Sequence, residues 1–144
     1  MTISDLKVKF PAATEDTWHQ HSNGGGWVQN TATVANAAWV GPDAQVSGDA
    51  WVWGDAEVSG DAWVSGNAVV LDNALVLDKA CVWGKARVSG NALVYGNARV
   101  WGDAEVSGDA RVYGDARVFD NARVYGNARV SGYARVSGYA VVSE

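Results

Sequence analysis

AWVWGDAEVSGDAWVSGN, residues 50–67, is three copies of one six-residue phrase, Ala-x-Val-x-Gly-[Asp/Asn]. The phrase returns as ARVWGDAEVSGDARVYGD at 98–115. Working outward, alanine holds every sixth position from Ala32 to Ala140, and valine every sixth from Val28 to Val142. A short, unbroken period names an architecture: stacked repeats of one supersecondary unit. Inside the phrase, Ala and Val alternate with variable residues, the two-residue period of a strand. Both therefore face one side. The Gly-[Asp/Asn] pair is turn chemistry, because these residues accept positive φ. Each hexad is predicted to form a four-residue strand and a corner. Such a strand cannot stand alone, so the hexads must stack, with Val and Ala of successive turns making one continuous core.

The bulk properties agree. A chain of 144 residues with 48% apolar content is large enough for one domain with a real core and is not disordered. Net charge is −5, which gives no general basic footprint for nucleic acid. The charge is uneven: residues 1–72 carry 2 Lys/Arg against 9 Asp/Glu, residues 73–144 carry 9 against 7. Cys81 is the lone cysteine, so no internal disulfide forms. The opening MTISDLKVKF has no long apolar run, so neither a secretion signal nor a membrane span is expected there. The simplest compartment is the cytoplasm, bacterial, or that of the host if the chain is phage-encoded.

With Val(i) followed by Ala(i+4), as in Val52 and Ala56, the chain resembles the hexapeptide-repeat, left-handed parallel β-helix family. The resemblance implies an all-β fold with three strands per coil and about six coils over residues 27–144, so residues 18 apart stack. The left hand is also what the resemblance implies; the general crossover rule favours the right. Residues 1–26 break the beat. Leu6-Lys7-Val8-Lys9-Phe10 alternates like a short strand, and Trp18 and Trp27 are apolar anchors around the turn-rich SNGGGW. The expectation is a cap over the first coil. At the other end the repeat runs through Val142 with no cap. Either a partner covers that end, or Tyr133 and Tyr139 fold over it.

An 18-residue rise sorts the outward positions into columns. One face stacks Trp63, Cys81, Arg99, Arg117 and Arg135 beside Trp83, Trp101 and Phe119. Like charges in register repel, and guanidinium planes over aromatic faces suit phosphates, bases or carboxylates. Arg99, Arg117, Arg135, Trp83, Trp101 and Phe119 are thus candidate ligand residues for an anionic or nucleotide-like compound. The bland alternative is that Asp103, Asp109 and Asp115 neutralise these arginines. The coil at 69–83 is apolar on every side: Val69, Leu71, Leu75, Leu77, Cys81 and Trp83, extended by Leu93 and Tyr95. A belt of that size points to a buried contact between subunits, against the alternative of tolerated cross-coil packing. Arg87, Glu105 and Arg123 read as an ordinary ion-pair ladder.

The hexapeptide family includes zinc enzymes that need three converging histidines and acyltransferases that use a histidine base. This chain has only His19 and His21, both ahead of the repeats, and no loop interrupts a hexad. No catalytic residue, metal site or cofactor is expected. The chain also looks like short all-repeat, transferase-like members of bacterial and phage type that carry a similar NGGGWV lead-in. Three functions stay open. The first is a non-enzymatic, self-associating solenoid that forms a homo-oligomer and binds a protein partner, in a phage or prophage setting. The second is a binder of an anionic small molecule, and the third an acyltransferase relative using His19 or His21.

Overall fold

The computed structural model describes residues 1–144. It is a parallel β-solenoid of about six turns with three sheets, preceded by one short helix. Each hexad contributes a strand of two residues, the variable residue and its valine, from Thr33–Val34 to Val141–Val142. Every strand pairs in parallel with the strand 18 residues away: Trp51↔Val69, Leu75↔Leu93, Arg99↔Arg117. The strands are shorter than the four residues expected, because three corners per turn bend the chain every six residues. The flanking backbone still stacks. Trp51 N–H donates to Ala68 O, Trp53 N–H to Val70 O and Asp55 N–H to Asp72 O, all at 2.9 Å.

The interior is the alanine and valine set and nothing else. From Ala38 to Ala128 every repeat alanine and valine is fully enclosed. Burying a valine is worth roughly 2 kcal/mol, and each one also touches its copies above and below, so the core is one continuous rod.

Corners explain the glycines. Gly84 has φ +69°, and a Cβ there would lie 2.9 Å from the amide nitrogen of Gly102 in the next turn. Both the left-handed backbone and the close approach exclude a side chain. Three corners nevertheless carry aspartate: Asp72, Asp78 and Asp120, at φ 61°, 60° and 59°. Each carboxylate accepts the N–H of the residue 18 further on, Gly90, Gly96 and Gly138, at 3.0 Å. A charge-assisted bond of this kind contributes about 1.5–3 kcal/mol and offsets a left-handed cost of roughly 1–2 kcal/mol.

The N-terminal segment differs from the expected strand. Residues Ile3–Lys9 form a helix, α1, started by a capping box between Thr2 and Asp5. Leu6, Val8 and Phe10 fit a two-residue period, but packing selects the helical spacing Ile3, Leu6, Phe10. Leu6 is buried with Ala13, Trp18 and Trp27, Ile3 and Phe10 pack against that cluster, and Val8 points to solvent. Strand β1 (Trp18–Gln20) then pairs antiparallel with β2 (Trp27–Gln29), which opens the solenoid. Gly26 N–H donates to Val40 O and Val40 N–H to Asn23 O, closing a second sheet edge. A Cβ on Gly26 would lie 2.4 Å from the Val40 side chain, so this glycine serves close packing rather than a phosphate loop. At the far end Tyr133 and Tyr139 project into solvent rather than folding over the last turn.

Candidate interaction surfaces

The three sheets give three outward faces of different chemistry. The arginine face runs Trp27, Gln45, Trp63, Cys81, Arg99, Arg117, Arg135 in register. Its upper half is covered by α1. The Trp27 indole donates to Met1 O at 3.0 Å, Phe10 lies 5.3 Å from the Trp63 ring, and Lys9 sits over Trp63 at 4.8 Å. Gln45 is buried beneath, its amide against the Met1 sulfur. Nothing in the hexad spacing pointed to this covering, since it depends on how a non-repeating segment folds back. Cys81 sits just below. Burial pushes its thiol above the ordinary value, opposed by Arg99 and then Lys9.

Arg99, Arg117 and Arg135 do lie in one column. None is ion-paired, so Asp103, Asp109 and Asp115 do not neutralise them through direct contact; the one side-chain ion pair is Arg123–Glu105 at 3.8 Å. The aromatic ladder beside them is also continuous. Trp83 and Trp101 stack at 5.0 Å, Trp101 and Phe119 at 4.5 Å, with planes 2° and 4° apart. These rings spend their faces on each other. The arginine column stands beside this ladder, and the cation found over a ring is Lys9. Arg117 and Arg135 instead line a cleft of about 330 Å³ with Tyr133 and Asp115.

The leucine face runs Trp39, Glu57, Leu75, Leu93, Arg111, Arg129. Beside it stand Leu77, Tyr95 and Tyr113, the two tyrosines stacked at 5.0 Å. Leu75, Leu77, Leu93 and Tyr95 are half-buried, as are Val69 and Leu71 on the third face. The third face also carries Arg87, Glu105 and Arg123 in register.

The two histidines are apart from all three columns. His19 is exposed, its Nδ1 2.6 Å from the Asn30 side-chain oxygen; His21 is buried, its Nε2 2.8 Å from Ala38 O. No group of three or more His, Cys, Asp or Glu side chains converges. No helix is long and apolar enough to cross a membrane.

Four stretches of the chain, residues 86–102, 110–124, 116–132 and 122–138, match the family described as YdcK Beta solenoid repeat. The matched stretches span less than half of the chain, and the likeness agrees with the β-solenoid fold. The matched stretches all lie within the arginine-bearing coils. No curated protein and no solved structure matches the chain.

Proposed function

We propose that this chain is a non-enzymatic β-solenoid module that associates with copies of itself and presents its faces to a partner, in the cytoplasm of a bacterium or of a phage-infected cell. The left-handed winding and the hexapeptide-repeat affiliation belong to the same reading, supported by the Val(i)/Ala(i+4) phrase. The observation that carries it is the uncovered apolar belt. Leu71, Leu75, Leu77, Leu93 and Tyr95 form a half-buried apolar band across two neighbouring faces at the middle of the tube. The contacts of α1 fall elsewhere, on Trp27, Gln45 and Trp63. Contiguous apolar surface of this kind on a soluble scaffold marks an interaction site. Light scattering across a dilution series tests it. A dimer or larger species at micromolar concentration is expected, and a strict monomer overturns the reading.

A second reading is favoured by the cleft at Arg117 and Arg135. Two guanidiniums free of ion pairs outnumber the one carboxylate, Asp115, in a cleft that Tyr133 also lines, and this suits an anionic or nucleotide-like compound. A bound ligand raises the melting temperature by mass action. Sugar phosphates or nucleotides should shift the wild type and not Arg117→Ala; equal shifts in both, or none, remove this reading.

A further inference from the structure

We propose that the leucine face docks on the same face of a second copy with the two solenoids antiparallel. The proposal rests on the self-association reading and names its surface and geometry. Two flat sheet faces related by a two-fold axis can meet with their strands aligned in two ways, with the axis in the contact plane either along the solenoid or along the strands.

An axis along the solenoid brings each level to its own copy. Glu57 then meets the level of Glu57, and Arg111 the level of Arg111, which sets like charges together. An axis along the strands, placed between the Leu75 and Leu93 strands, reverses the order of levels and keeps each column opposite itself. Leu75 then faces Leu93 of the second copy, Leu77 faces Tyr95, and Glu57 faces Arg111. One level further out, Trp39 comes opposite Arg129, a cation-over-ring pairing. The column is its own complement about that point: apolar in the centre, acid against base outside.

Three observations support the second copy as the occupant. Glu57, Arg111 and Arg129 are exposed and form no ion pair within the chain, so their charges are free to be met from outside. Packed sheets stand about 10 Å apart, a gap that interdigitating leucine and tyrosine fill and that Arg and Glu together span. The other faces lack the property. The arginine face has no acid in its column, and α1 lies over its upper half. The third face has Arg87 at the middle of its seven strands, so the same operation would set Arg87 against Arg87, and its Glu105 is already paired to Arg123.

The test is charge reversal read by sedimentation velocity on the full chain, with thermal melting as the control for folding. Glu and Arg both occupy equivalent outward positions in other turns, so the variants keep the scaffold. Wild type should be dimeric. E57R and R111E should each weaken the dimer roughly tenfold or more, since each sets two like-charge pairs across the contact. The double variant E57R/R111E should dimerise again, and mixing the two separately purified single variants should give a heterodimer. A monomeric wild type overturns the self-association reading together with this proposal. A dimeric wild type whose single variants are unchanged overturns this face and leaves self-association standing. Single variants that weaken the dimer without rescue by the double variant or by mixing overturn the antiparallel pairing.

Discussion

Val88→Ala tests the tube itself. Val88 is fully enclosed and lies in register between Val70 and Val106, so its two methyl groups touch the same side chain above and below. Removing them forfeits about 1.6 kcal/mol of transfer free energy at ~0.8 kcal/mol per carbon. The hole adds to this. At ~24 cal/mol per Å³, a residual cavity of about 50 Å³ costs roughly another 1 kcal/mol. The neighbours cannot close the gap, because each is held by ladder bonds to the turns on both sides. The expected loss is therefore about 2–3 kcal/mol in urea unfolding analysed by linear extrapolation. Val142→Ala, in the half-exposed last strand, should lose under about 1 kcal/mol. Equal losses at the two positions, or a loss at Val88 below about 1 kcal/mol, would refute a core made by inward valines stacked turn on turn.

Asp72→Ala keeps the left-handed corner and removes the bond to Gly90, so it should destabilise by about 2 kcal/mol, whereas Asp72→Gly should stay within about 1 kcal/mol of wild type; both are read by chemical denaturation. Trp101→Ala removes two ring stacks and should cost about 1–3 kcal/mol and flatten the near-ultraviolet circular dichroism; an unchanged spectrum would refute the ladder. Asp5 is held below the ordinary carboxylate range, first by the Thr2 N–H and then by the Thr2 hydroxyl. A lowered native value means that its contribution is present above the ordinary range and lost as pH falls through the native value. Tryptophan fluorescence of the α1 contact should therefore change in acid below the ordinary carboxylate range in wild type and less so in Asp5→Asn; identical acid profiles would refute the capping role.

The interior was legible because two residue types repeat on a fixed beat, and the two-residue period of a strand turns both to the same side. Trp18 and Trp27 were legible as anchors because large apolar residues in a polar, turn-rich segment need a place to go. Residues 3–9 were not. Leu6, Val8 and Phe10 satisfy a two-residue period as well as Ile3, Leu6 and Phe10 satisfy a helical one, and only the Thr2–Asp5 cap and the exposure of Val8 decide. The columns of Arg99 and Trp83 followed from the period, but the orientation of their side chains did not. At one strand spacing between levels, flat rings lie face to face along the axis and spend those faces on each other. The aspartates at 72, 78 and 120 show the same limit: residue type permitted a left-handed corner, while the carboxylate bond across turns emerges only from the stacking.

Because no hexad is interrupted, inside and outside answer to different arithmetic. Deleting six residues leaves alanine and valine pointing inward but swings everything downstream onto the neighbouring side of the prism. Deleting eighteen restores the side and shifts the downstream decoration by one storey. The scaffold is blind to both edits. The exterior is rewritten wholesale, and a lineage that grows or shrinks such a tube in whole hexads can trial new surface combinations without ever re-solving its fold.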